Sequence, residues 1–253
     1  MKVGDREVAR IGLGTNRLRK TPQNITFIKA AVAAGVEMID TAHLYAGGES
    51  EETIGAALSP VPEDVVVATK GGFGGSGRGR PEVLRGEIED SMRRLRTEVI
   101  YLLYLHRVDP RTPLEESLAA IKEYQDRGQI RFVGVSEVTV EQIERARKVV
   151  SVAAVQNEYN LAVRRYDPVV EYCTDEGIPF VPFYPLRAEV GQSVREIASR
   201  HRATPQQIML AWLLHRSPVM LPIPGTLSLE HLKENLGALR VDLTDAEFRS
   251  LLS

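Results

Sequence analysis

The chain has 253 residues, with 32 Lys plus Arg against 34 Asp plus Glu and a formal charge of −2. That balance excludes a protein working mainly by electrostatic grip on nucleic acid or an acidic membrane. The single cysteine, Cys173, excludes an internal disulfide and a cysteine-based zinc site. No apolar run reaches the roughly 18 residues of a membrane span, and the opening MKVGDREVARIG lacks the apolar segment of a secretory signal. With 43 % apolar and 26 % charged residues, the composition is that of an ordinary globular protein, expected in the cytoplasm.

No linker, low-complexity tract or composition break divides the chain, so residues 1–253 are read as one domain. Residues 2–12 alternate around Gly4-Asp5, as a small β-hairpin would. Short apolar, β-branched runs then alternate with longer amphipathic stretches. The runs are IGLGT at 11–15, VEMIDT at 36–41, DVVVATK at 64–70, VIYLLYLH at 99–106, IRFVGVS at 130–136, VAAVQNE at 152–158, IPFVPFY at 178–184 and VMLPIPG at 219–225. Each is nearly continuously apolar, as parallel strands buried on both faces are.

Helical spacing appears at 25–35, closed by Gly35, and in segments opened by Pro81 and Pro113. Thr139 and Thr204 are placed to cap the helices that begin at Val140 and Pro205. Eight strand–helix units in about 250 residues predict an α/β fold of the (β/α)8 TIM-barrel type, with the hairpin closing the bottom of the barrel. An open doubly wound sheet is the alternative. Its GxGxxG fingerprint is missing after the first strand, where the text reads Gly12-Leu13-Gly14-Thr15-Asn16-Arg17.

Function in such a barrel collects at the C-terminal strand ends. Strand 2 ends in Asp40, with Thr41, His43 and Tyr45 just beyond; strand 3 ends in Lys70 and strand 4 in His106. Taken singly, each has an ordinary explanation: a turn-forming Asp, a solvated Lys, a core His. Together on neighbouring strands they fit proton transfer to a carbonyl. A Tyr phenol titrates near 10; a neighbouring ammonium favours the phenolate. Asp40 would keep that ammonium charged, and His106 would donate to the substrate oxygen or shuttle a proton.

At these residues the sequence resembles the aldo-keto reductases. The matching text is MIDTAHLYAGGESEETIGAAL, VVATKGG, YLLYLHRVDP, IRFVGVSEVTVEQIERA, VQNEYN and IPGTLSLEHLKENLGA, spread from Ile11 to Leu239. The resemblance implies reduction of aldehydes and ketones to alcohols, with transfer of the 4-pro-R hydride of NAD(P)H, Tyr45 as general acid, Lys70 and Asp40 assisting, His106 orienting the carbonyl, and no metal. It also implies a cofactor site. Thr15 and Asn16 approach its centre, Ser136, Glu137 and Gln156 hold the nicotinamide carboxamide, and Phe183 stacks on the ring. Tyr184, Pro185 and Leu186 line the pyrophosphate; Pro224, Gly225, Thr226, Ser228 and His231 form the phosphate-binding turn; Glu234 and Asn235 hold the adenine. NADPH is the expected cofactor, with NADH the alternative, and a small carbonyl compound the expected partner of a monomer.

Some positions depart from the family pattern. Glu137 stands where an Asn is usual, and a carboxylate accepts but cannot donate; it either receives the carboxamide or turns outward to a salt bridge. The phosphate turn holds His231 in place of a permanent cation, with Arg187 as a further candidate. The Gly-rich connection at 71–80 reads as a flexible solvated loop, and as a phosphate cradle in the alternative. Short loops predict an open, shallow substrate site and broad specificity. His43 is a second polar candidate for the pocket; Trp212 reads as core, and Cys173 as remote from the site. A second reading, from a different class, is a cofactor-binding barrel with little turnover, either a regulatory subunit or one whose cofactor site is disabled by the trimmed loops.

Overall fold

The computed structural model describes residues 1–252; Ser253, the last residue of the expected domain, lies outside the described residues. The hairpin forms from β1 (Lys2–Val3) and β2 (Arg6–Glu7), paired antiparallel. Six parallel strands follow in sequence order: β3 (Leu13–Gly14), β4 (Met38–Asp40), β5 (Val66–Gly71), β6 (Ile100–Leu105), β7 (Ile130–Ser136) and β8 (Val152–Gln156). β5 and β6 are buried at every position, as their unbroken apolar text predicts.

The expected strands at 178–184 and 219–225 do not form continuous ladders. Pro179, Pro182, Pro222 and Pro224 interrupt them, and proline has no N–H to give. Single bridges replace the ladder: Val155 with Phe180, Phe180 with Met220, and Gly14 with Gly225. The proline carbonyls still accept, from Gly12 N to Pro222 O (3.0 Å) and from Gly14 N to Pro224 O (3.2 Å). These bonds return the chain to β3 and close the barrel.

Helices cover the outside, and their starts are chemically marked. Thr139 and Thr204 form capping boxes with Gln142 and Gln207 at the starts of α5 (Val140–Arg147) and α8 (Pro205–Arg216). Thr21 caps α1 (Pro22–Ala33), three residues ahead of the expected start. Pro81 opens α3 (Pro81–Leu95), while the helix after Pro113 is α4 (Leu114–Asp126). Among the described residues no helix is long and apolar enough to cross a membrane.

The hairpin takes the predicted place. Val3 and Val8 are buried with Met38, Val66, Tyr101 and Leu102 inside the barrel. Tyr101 donates its hydroxyl to Val3 O (2.9 Å) and Arg6 donates to Val65 O (2.9 Å). Both partners stand at strand beginnings, so the plug closes the N-terminal mouth and leaves the C-terminal mouth for chemistry.

Candidate active site

Asp40 is the last residue of β4, Lys70 lies near the end of β5, and His106 follows β6 directly. Parallel pairing sets Asp40 opposite Ala68 and Lys70 opposite Tyr104, so Lys70 and His106 each stand two residues beyond their neighbour's partner, all three at the C-terminal end of the sheet. Tyr45 comes from a short 3-10 turn, Tyr45–Gly48, before α2 (Glu49–Leu58). Gly47 and Gly48 hold φ of 68° and 100° there, a reversal glycine permits without steric cost.

Lys70 joins the group. Its Nζ donates to Asp40 Oδ1 (2.5 Å), to the Thr41 carbonyl (2.7 Å) and to the Tyr45 hydroxyl (3.3 Å), which uses all three ammonium protons. Gln156 Nε2 donates to the other Asp40 oxygen at 2.8 Å. Asp40 and Lys70 are each 1 % exposed and His106 5 %. The Tyr45 and His106 rings meet edge-on, 6.0 Å apart. His106 Nδ1 is buried with no protein partner among the described residues.

Burial dominates the protonation of this group. It pushes Asp40 up, against the pull of Lys70, although donors on both oxygens suit the ionised carboxylate. Burial also works against the Lys70 ammonium, but Asp40 and Tyr45 outweigh it and hold the lysine above its ordinary value. For Tyr45 the expected lowering by Lys70 is present but is outweighed: burial carries the phenol above its ordinary value. The phenol is therefore protonated at neutral pH. Burial, with Lys70 and Arg107 adding to it, holds His106 well below the usual histidine range, so its imidazole is neutral.

The group opens into a cavity of about 360 Å³ lined by Asp40, Tyr45, His106 and Gln156, and by Asn16, Phe73, Arg107, Phe183, Tyr184 and Pro185. A second cavity of about 280 Å³ is lined by Thr226, Leu227 and His231 and shares Gly14, Thr15, Asn16, Arg17 and Gly225 with the first. Thr15 faces inward as a support, its hydroxyl donating to Asp40 O (2.7 Å) and meeting Ser50 Oγ (2.8 Å). Ser136 is buried at the end of β7 and accepts from Arg107 Nη1 at 3.1 Å. Leu186 packs on the core, and Pro224 serves through its bond to Gly14.

Glu137 is turned to the protein. Its Oε1 accepts from Glu158 N (2.7 Å), and its Oε2 from Tyr166 OH (3.2 Å) and Arg165 (3.4 Å). It holds a φ of 55°, in the left-handed region that Asn tolerates better than Glu. Ser228 caps α9 (Leu229–Gly237) by accepting from His231 N, and Thr226 Oγ1 accepts from Ser228 N (3.0 Å). Glu234 accepts from the Thr204 hydroxyl (2.6 Å). Glu234 and the buried Asn235 lie on α9 outside the linings of both cavities.

The remaining candidates are placed elsewhere. His43 faces α3, 3.5 Å from Asp90 and 3.9 Å from Glu87. Arg187 lies over the Tyr184 ring and 3.8 Å from Glu158. The loop at 71–80 is tied down: Arg78 pairs with Glu87, Arg80 with Glu82, and Gly79 N donates to Asp109. Its arginines are engaged on the protein and form no phosphate cradle, while residues 73–76 and 80 are exposed, as expected of a solvated loop. Cys173 is buried in α6 (Asp167–Glu176), where burial pushes its thiol up to about 12. Trp212 is fully buried between Tyr159 and Phe248.

Among the polar and aromatic residues that line the cavities, Arg17, Phe73 and Arg107 are not among the sequence candidates. Arg17 directly follows Asn16 and Arg107 directly follows His106, so adjacency to a site residue was the available signal.

The comparisons agree with this arrangement. The family model for the aldo/keto reductase family matches residues 10–253. An uncharacterized oxidoreductase of Schizosaccharomyces pombe is 38 % identical over 270 residues, covering 99 % of this chain and 88 % of its own. The crystal structure of a thermostable aldo-keto reductase, in complex with the inhibitor epalrestat, is similar at a TM-score of 0.91 and 32 % identity, over 100 % of this chain and 98 % of its own. A Klebsiella pneumoniae aldo-keto reductase in complex with NADPH is similar at a TM-score of 0.85 and 29 % identity, over 96 % of this chain and 90 % of its own. Barrel, strand-end residues and comparisons converge: the chain belongs to the aldo/keto reductase family and is an oxidoreductase of the kind that acts on carbonyl groups.

Proposed function

We propose that this chain reduces aldehydes and ketones to alcohols, with NADPH as hydride source and Tyr45 as proton donor. The observation that carries the reading is Lys70, bonded at once to Asp40 and to the Tyr45 hydroxyl beside a neutral His106.

The residues present fit the dinucleotide. Gly14 and Gly225 let two backbones approach closely: a Cβ on Gly14 would stand 2.7 Å from Ile223 O. The two cavities share one wall, and the second ends at the N-terminus of α9, where backbone N–H groups favour a phosphate. Arg17 stands where the cavities meet, with no acid within ion-pair distance among the described residues. It supplies the permanent cation that the phosphate turn itself lacks. The solved relative that carries NADPH supports the same choice.

Bound NADPH supplies the hydride. Tyr45 transfers its phenolic proton to the carbonyl oxygen as that oxygen gains negative charge. Lys70 stabilises the resulting phenolate through its N–H, and Asp40 keeps the ammonium charged. His106, held neutral, offers its one N–H to the carbonyl oxygen and orients it. Phe183, in the cavity lining, and Ser136, buried behind it, would position the nicotinamide. Gln156 acts first on Asp40, whose carboxylate it holds in place.

The raised phenol sets the pH dependence. Tyr45 is already protonated through the neutral range, so kcat/KM for reduction should stay flat from about pH 6 to pH 9. Alcohol oxidation needs the phenolate and should rise with pH across the same interval. Initial rates in both directions, followed by nicotinamide absorbance, check this. A reduction rate that falls steadily from the acid side of neutrality would count against a raised phenol as the acid.

Arg17→Ala should weaken NADPH binding about 10-fold at low salt, the scale of one charge-assisted bond, and less at high salt. Quenching of protein fluorescence measures it. An unchanged Kd would remove Arg17 from the phosphate site. The overall reading is tested by a panel of aldehydes and ketones with NADPH. Failure to bind either dinucleotide would leave the strand-end residues without the activity proposed for them.

A further inference from the structure

Arg107 is a cation in the reaction cavity with no anion beside it. Its Nη1 donates to the His106 carbonyl (2.6 Å) and to Ser136 Oγ (3.1 Å), both neutral acceptors. Nε and Nη2 have no protein partner, and no carboxylate lies within 4.0 Å of the guanidinium, among the described residues. The acid whose field reaches it, Glu137, is held by Glu158 N, Tyr166 and Arg165. The guanidinium is half-buried, its carbon 5.2 Å from the Phe73 ring centre and 5.6 Å from that of Phe183. Withdrawing a cation from water without a counter-ion is costly. The two idle donors match the fork that binds a carboxylate through two parallel bonds.

We infer that Arg107 determines specificity, and that the carbonyl substrate carries a carboxylate seated on Nε and Nη2 while its carbonyl meets Tyr45 and His106. This rests on the carbonyl-reductase reading and adds the substrate class to it. Phe73 sets the spacing. Its ring centre lies 4.7 Å from the His106 ring and 5.2 Å from the guanidinium carbon. The carboxylate therefore stands one aromatic ring, or a chain of a few carbons, from the carbonyl.

The test compares matched pairs with the full chain and NADPH: 4-carboxybenzaldehyde against benzaldehyde, and succinic semialdehyde against butanal. The wild type should favour the carboxylated member by about 10- to 100-fold in kcat/KM, chiefly through KM, as charge-assisted bonds do. Arg107→Gln should bring that ratio toward one, and Arg107→Lys should restore part of it. A second arm needs no turnover: calorimetric binding of 4-(hydroxymethyl)benzoate, which should weaken by a similar factor in Arg107→Gln, while benzyl alcohol binding should not follow. A wild-type ratio near one overturns the inference, whatever the variants do. So does an Arg107→Gln that lowers both members equally and weakens NADPH binding, which would assign the guanidinium to the cofactor. If no carbonyl is reduced but the benzoate binds in an Arg107-dependent way, the reductase reading fails and the anion site stands. If neither occurs, the anion site falls as well.

Discussion

Replacing Tyr45 by Phe is expected to lower kcat by about 10²- to 10⁴-fold, the worth of a positioned general acid, while NADPH still binds. The substitution removes one oxygen and keeps the ring that meets His106 edge-on and lies 4.8 Å from Lys70 Nζ. Lys70 retains its bonds to Asp40 and to the Thr41 carbonyl, so the fold loses little. Steady-state rates beside a fluorescence titration of NADPH separate chemistry from binding. A variant that kept a rate within threefold, roughly, of the wild type would remove Tyr45 as the proton donor.

Lys70→Met is expected to abolish turnover and also to destabilise the fold by about 3–5 kcal/mol, the usual result of leaving one partner of a buried ion pair alone. Asp40 and Lys70 are both sequestered and bonded at 2.5 Å. Without the ammonium, Asp40 keeps only Gln156 and loses the attraction that opposed burial. Its carboxyl then titrates still higher in the folded protein. A carboxyl raised on folding favours the folded state where it is protonated. The deficit should therefore shrink as pH falls into the carboxylate range and grow above it. Urea unfolding at several pH values measures this, and Asp40→Asn added to Lys70→Met should recover part of the loss. A single variant costing under about 1 kcal/mol would show that Asp40 has other compensation.

The strand-end group was legible because chain order alone placed it. Asp40, Lys70 and His106 each close an apolar run, and parallel neighbours put their ends together. The hairpin was legible from the alternation around Gly4-Asp5. The broken pairing of 178–184 and 219–225 was also written in Pro179, Pro182, Pro222 and Pro224, which the apolar character of those runs masked. What resisted reading depends on burial and on distant partners. The direction of Tyr45's titration is a contest between Lys70 and desolvation that only the packed site decides. Glu137 is defined by Glu158 and Tyr166, more than twenty residues downstream. His43 is open between a pocket group and a loop residue until α3 presents Asp90 and Glu87 to it. Arg107 stands out only once Phe73 and Phe183 are found beside its guanidinium.

The central claim is direct hydride transfer to a carbonyl under the control of Tyr45 and Lys70. Its most direct test is to mix the protein with NADPH deuterated at the 4-pro-R position and an aldehyde, then to analyse the alcohol by mass spectrometry. The account predicts one deuterium on the carbinol carbon for each NADPH consumed, with the labelled alcohol formed about 10²- to 10⁴-fold more slowly by Tyr45→Phe. NADPH that stays unoxidised, or an alcohol without deuterium, would contradict it.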